Sequence, residues 1–252
     1  MLCWYNEPPS WLAATVSSLA RIGVDHVVAM DGAYLLFPDG RPRSNLAEAQ
    51  AILMAADAVG IGATVYQPET LWYGGEPEKR TELFKIASAH GTPGEDWLFV
   101  IDADEVITKD CPTIKDELAG TDALVAHGRI EQWWDDHQAN PDTARIARMM
   151  PHPTVFGHLQ SRFFRIIENM RCDTTHFTYV GEWEGVSWTL RGDKAGRVLG
   201  YTQADAFTPD RLVNIEHRDP LRDLTRATLK KDYYEKRDEM GIERVEGMTA
   251  DA

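Results

Sequence analysis

The chain has 252 residues and a mass of 28.4 kDa, and its 26 basic against 40 acidic side chains leave a net charge of −14. So acidic a surface excludes a broad grip on a phosphate backbone or an anionic membrane, leaving room only for a local basic pocket, and a nucleic-acid partner is not expected. With 43% hydrophobic and 26% charged residues the composition is that of a globular chain able to bury a full core.

Cys3, Cys111 and Cys172 are odd in number and widely spaced, which argues against a disulfide framework, and no Cys-x-x-Cys pair suggests a zinc ribbon. No basic segment followed by an apolar one opens the chain, and no apolar run approaches the roughly 20 residues that span a bilayer. The expectation is a soluble, cytoplasmic protein without a transmembrane segment.

The first half alternates strand and helix signals. Residues 1–5 form an apolar run. Ser10 is a candidate N-cap and Gly23 a stop for a helix that places Leu12, Val16, Leu19 and Ile22 on one face. A second apolar run, 26–30, ends at Asp31-Gly32. Asn45 is placed to cap a helix with Leu46, Ala49, Ile52, Leu53 and Ala56 inward, ending at Gly60 and Gly62. A strand over 63–66, a helix over 78–89 and a strongly apolar strand over 97–101 follow. Strands of this kind, apolar without alternation, predict an α/β fold with a mostly parallel sheet covered by helices on both faces, and ligands of such sheets bind at the carboxyl ends of the strands.

The second half reads as strands over 123–130, 160–167, 174–180 and 211–215, with Trp133, Trp134, Trp183 and Trp188 among them and Pro141, Pro151 and Pro153 bracketing an irregular stretch. A long charged helix is predicted over 219–240, with Leu221, Leu224, Leu229 and Tyr233 inward and Pro220 in its first turn, then a polar tail. No composition shift divides the chain, so residues 1–252 are read as a single domain with halves 1–106 and 107–252.

The sharpest chemical signal is the run Trp97-Leu98-Phe99-Val100-Ile101-Asp102-Ala103-Asp104-Glu105, in which a buried strand ends abruptly in acids. Asp102 and Asp104 would offer carboxylate oxygens to one point, the chemistry preferred by Mg²⁺ and Mn²⁺; the plainer alternative is acids capping the next turn. Glu7 and Asp31, each after a strand, are candidates for ribose hydroxyls and a base N–H, while Asn6 and Asp31 are equally suited to shaping turns. Lys79-Arg80 offers a guanidinium suited to a diphosphate, or a solvated basic pair on a helix. In Ile215-Glu216-His217-Arg218 the imidazole of His217 would complete the site of a borderline cation, or stands in a surface loop.

The order of these motifs resembles the family 2-like glycosyltransferases of the GT-A fold. The correspondence runs through Tyr5-Asn6-Glu7, Ser18-Leu19, Asp31-Gly32, Arg80-Thr81 and the stretch from Trp97 to Glu105; the Asp-Ala-Asp-Glu form, Arg162-Phe163-Phe164-Arg165 and His176 are similar to the bacterial lipopolysaccharide-core glucosyltransferase subgroup. It departs from the family where Ala33 stands for Ser, Thr81 for Asn, and 34–44 is longer than the usual turn. The resemblance implies a nucleotide-sugar donor, by default UDP-linked, bound through Tyr5, Asn6, Glu7, Asp31, Lys79, Arg80, Asp102 and Ala103. It implies Mn²⁺ or Mg²⁺ held by Asp102, Asp104 and His217, and an inverting transfer to a glycan or protein acceptor. Such a transfer needs a carboxylate base; Glu182 and Glu184, beside Trp183, are the candidates, followed by Asp135 and Asp136. A sugar-nucleotide pyrophosphorylase is disfavoured because Asn6-Glu7-Pro8-Pro9 stands where a Gly-rich basic loop is needed. The alternative is a non-catalytic protein binding a nucleotide-sugar or carbohydrate on a degenerate scaffold of this fold.

Overall fold

In the computed structural model the described residues are 1–38, 40–133, 155–174, 178–190, 200–218, 228–229, 232–233 and 235–236. Trp134, Asp135, Asp136, Pro141, Pro151, Pro153, His176 and most of the helix predicted over 219–240 lie outside them.

Strands β1 (Leu2–Cys3), β2 (His26–Met30) and β3 (Gly62–Tyr66) alternate with helices α1 (Pro9–Ser18), α2 (Leu46–Ala58) and α3 (Gly75–Ser88), as the sequence predicts. The boundaries differ. α1 begins at Pro9 rather than after a Ser10 cap, because the fixed φ of proline already suits a first helical position. It runs on as a 3₁₀ turn, Leu19–Ile22, which stops at Gly23 in a left-handed conformation (φ 68°). α2 is capped at Asn45, whose N–H donates to Glu48 three residues on. α3 starts at Gly75, three residues before the predicted start.

The predicted strand over 97–101 is two strands, β4 (Trp97–Phe99) and β5 (Ile101–Asp102). The division has a physical cause: Val100 donates its N–H to Arg162 O at 2.9 Å, while the next residue, Ile101, donates to Met1 O at 3.1 Å. One extended segment thus leaves one partner for another. β5 completes a four-stranded parallel sheet of order β3-β2-β1-β5. Its faces are both buried, since Val27 and Ala29 pack with Leu12, Val16 and Ile52 of α1 and α2, while Val28 and Met30 pack with Leu83 and Phe84 of α3.

The remaining strands correct the expectation of one mostly parallel sheet. They are β6 (Glu105–Ile107), then, after α4 (Ile114–Ala119), β7 (Val125–Trp133), β8 (Val155–Arg165), β9 (Glu168–Thr174), β10 (Thr178–Trp183), β11 (Val186–Thr189), β12 (Thr202–Gln203), β13 (Ala206–Phe207) and β14 (Asn214–His217). A second sheet of order β4-β8-β7-β14-β6, with β13 on β7, is mixed, and a third has the order β12-β11-β10-β9. Only Ile166 and Ile167 separate β8 from β9, and a two-residue turn joins β10 to β11, links far too short for a parallel crossover. The core is shared across sheets: Leu12, Ile52 and Ile101 belong to the same buried cluster as Ile107, Ile130, Phe163 and Ile215. Among the described residues no helix is long and apolar enough to cross a membrane.

Candidate functional site

β1 sets the site. Its Cys3 pairs with Met30 of β2 on one side and with Asp102 of β5 on the other. The segments that leave these strands, 4–7, 31–33 and 102–105, therefore emerge side by side at one end of the parallel sheet, the end at which open α/β sheets bind ligands.

Asn6 turns the chain away from β1 with φ of 50°, a conformation asparagine tolerates better than most residues, and donates its N–H to Ser44 Oγ at 2.8 Å. Glu7 is buried, and its N–H donates to Glu48 Oε2 at 3.0 Å. The Tyr5 hydroxyl accepts from Arg41 N–H at 2.9 Å, and its ring meets Phe37 edge-on. Asp31 is fully buried. Its Oδ1 accepts from Gly32 N–H at 2.6 Å and Ser44 Oγ–H at 2.5 Å, its Oδ2 from Ser44 N–H at 2.7 Å and Gln67 Nε2 at 2.9 Å. The carboxylate thus clamps the loop after β2 to the end of β3, and a nucleobase would have to displace Ser44 or Gln67 to reach it.

Lys79 and Arg80 are both buried, not a solvated pair. Lys79 Nζ donates to Trp4 O at 2.7 Å and Gly32 O at 2.9 Å, tying the ends of β1 and β2 to α3; burial lowers its pKa. Arg80 donates from Nε to Glu76 Oε1 at 2.7 Å, from Nη1 to the Tyr179 hydroxyl at 3.2 Å and from Nη2 to Asp102 Oδ1 at 3.3 Å.

The acids after β5 differ in exposure. Asp102 keeps 38% of its side chain in solvent, while Asp104 and Glu105 are buried. Ala103 is buried, and its carbonyl accepts from Thr15 Oγ1. β14 runs antiparallel to β6 with His217 opposite Glu105, which brings His217 Nε2 to 3.3 Å from Asp104 Oδ2. Arg162 of β8 pairs with Glu105 at 2.5 Å, and Glu105 accepts the Asp102 N–H at 2.9 Å. Partial burial by itself would raise the Asp102 carboxyl, but Arg80, Arg162 and His217 override it and hold Asp102 well below the usual carboxylate range. Burial pushes Glu105 up to about 7; Arg162 pulls the other way, and the charges of Asp102 and Asp104 add to the rise. Each of the three acids therefore faces a basic partner: Arg80, His217 and Arg162.

Asp102, Asp104 and His217, the last 23% exposed, are of the residue types that could hold a hard or borderline divalent cation, while among the described residues no three such side chains are grouped as a metal site. A site of so few protein ligands is of the kind that substrate phosphates complete.

Glu182 and Glu184 are not brought to these acids. On β10 it is Tyr179 that reaches Arg80, and Glu182 lies three residues further along, roughly 10 Å. Trp183 packs so closely on Gly94 that a Cβ there would clash with its ring, so this end of the hairpin sits by the start of β4, opposite to Asp102. Glu182 accepts from Asn169 Nδ2 at 2.9 Å, and Glu184 forms the hairpin turn with φ of 51°. A cavity of about 450 Å³ that includes His26, His90 and Trp97 also opens at that opposite end.

Neither a family model nor a curated protein matches this chain. The case for its chemistry therefore rests on the residues and their placement. Sequence reasoning missed Glu76, Tyr179 and the partnership of Arg162 with Glu105. The Glu76–Arg80 pair had a signal, since residues four apart share a helix face; Tyr179 had none.

Proposed function

We propose that the protein is a glycosyltransferase that moves a sugar from a nucleotide-sugar donor, UDP-linked by default, to an acceptor hydroxyl of a glycan or protein. The observation that carries the proposal is that the segments bearing Glu7, Asp31 and Asp102 leave neighbouring strands at the carboxyl end of one parallel sheet, with His217 of β14 3.3 Å from Asp104, in the motif order of the family 2-like enzymes. In this reading the fold is GT-A-like, and Asp31 acts by holding the loop after β2 that walls the nucleoside pocket. Tyr5 and Asn6 form the opposite rim, and Asp102, Asp104 and His217 hold Mn²⁺ or Mg²⁺. The cation supplies Lewis acidity that stabilises charge on the leaving diphosphate. Arg80, buried beside Asp102, adds fixed positive charge there. A cytoplasmic setting belongs to the same reading.

A second reading, a binding protein without turnover, is favoured by one observation: Glu182 and Glu184 stand away from the acids. Nucleoside diphosphate release from UDP- and GDP-sugars in Mn²⁺ separates the two. The transferase reading expects release from one donor, falling about 100-fold or more in Asp102→Asn. Binding without release from any donor, with glycan and peptide acceptors supplied, contradicts it and favours the second reading.

A further inference from the structure

Arg80 makes three contacts of unequal exposure. The bond from Nε to Glu76 is short, and both side chains are nearly dry, at 11% and 6% exposure. The bond from Nη1 to Tyr179 is enclosed by the same core, with the Tyr179 ring edge-on to Phe84 and Phe164. The bond from Nη2 to Asp102 is the longest at 3.3 Å and is made to the one acid with substantial solvent contact. Of the three it is the contact that solvent and an incoming ligand can reach. The guanidinium is thus anchored from behind and holds Asp102 with its most accessible arm.

That arrangement bears on the cation reading. A divalent ion approaching Asp102 meets a resident positive charge that both opposes it and already occupies Oδ1. A diphosphate arriving with the ion reverses the balance, because its oxygens offer Nη2 an acceptor of greater charge than a single carboxylate.

We propose that Arg80 is a placeholder cation that makes divalent metal and diphosphate bind as a pair. Without ligand it neutralises Asp102; when Asp102 takes the metal, Nη2 passes to a diphosphate oxygen while Glu76 and Tyr179 keep the guanidinium in place. The exchange changes partners, moves no charge across the protein, and makes Arg80 a positioning residue. It rests on the metal–diphosphate reading above and deepens it, since it adds that the lone metal binds poorly and that each ligand tightens the other to the same degree.

The test is Mn²⁺ binding followed by the loss of the free-ion electron paramagnetic resonance signal, with and without UDP, in wild type, Arg80→Gln and Glu76→Gln. The wild type is expected to bind Mn²⁺ alone weakly and about tenfold or more tightly with UDP. Arg80→Gln removes the resident charge, so Mn²⁺ alone binds about tenfold tighter while the enhancement by UDP shrinks. Glu76→Gln keeps a hydrogen-bond acceptor but leaves the Arg80 charge uncompensated on that side, so Mn²⁺ alone binds more weakly. A merely structural lesion weakens every state and does not give opposite signs. Should Arg80→Gln fail to fold, Glu76→Gln decides. Mn²⁺ affinity unchanged in the variants, with UDP enhancement intact in the wild type, overturns this proposal and leaves the functional reading standing. No UDP-enhanced Mn²⁺ binding in the wild type overturns both.

Discussion

Lys79 and Arg80 are neighbours in sequence with different tasks. Lys79 satisfies two backbone carbonyls at the ends of β1 and β2, so Lys79→Met strands both acceptors in the interior. The expected loss is on the order of 2–3 kcal/mol, read as a lower urea midpoint at unchanged slope. A midpoint like that of the wild type would mean the ammonium is dispensable to the fold. Asp102→Asn and Asp104→Asn address the other side of the site: both are expected to abolish Mn²⁺-dependent UDP binding while the circular dichroism spectrum stays native. Retained binding in both variants removes these acids from the cation site. The sequence marked the candidate residues here, because an apolar run that stops in acids is a local signal. It did not show their partners. That Asp31 spends its carboxylate on Ser44 and Gln67, or that Arg80 meets Tyr179 from 99 residues away, depends on tertiary contacts that local spacing does not encode.

The segment Trp97–Glu105 illustrates the limit of periodicity at the level of elements. Its burial was legible from five successive apolar residues, yet its division into β4 and β5 depends on which neighbours, Arg162 or Met1, accept from it. Helix α3 carries the other face of the sheet, with Phe84 fully buried edge-on to Phe164 and Tyr179. Phe84→Ala is expected to cost about 3–5 kcal/mol by leaving a cavity there, measured by urea unfolding. At the joint of β2 and β3, the stacked rings of His26 and His90 lie 4.1 Å apart, with Thr64 Oγ1 2.9 Å from His26 Nε2. Burial, then the charge of His90, keeps the His26 pKa below the ordinary histidine value of 6.5. The unfolded chain thus takes up this proton more readily than the folded one. The His26 contribution is full above about pH 6.5 and is lost as pH falls through that value toward the lower folded pKa. His26→Gln should therefore lose less stability than the wild type between pH 7.5 and 5.5. Equal losses in the two proteins would contradict the assignment.

Across the whole molecule, the parallel half was the readable part. Its strands are buried on both faces and joined by helices, so the strand–helix rhythm survives in the sequence as apolar blocks between caps and glycines. The mixed sheets were not readable to the same degree. β6, β9, β11, β12 and β13 are short or half-exposed strands whose pairing is set by hairpins and by the return of β14 between β6 and β7. That return is what delivers His217 to Asp104; the polar cluster at 215–218 and the family resemblance marked His217 as a candidate, but the strand pairing that brings it there is not legible in those residues. The net charge of −14 also acts at this scale: it would repel the anionic donor of the proposed reaction at long range, so that reading requires a local positive charge or a bound cation where the diphosphate is proposed to sit. The most direct test is calorimetric titration of UDP, GDP and CDP, each with and without Mn²⁺. The account predicts tight binding of one nucleotide that depends on the metal; no binding of any nucleotide under either condition would contradict it and make the Asp102–Asp104 cluster a structural one.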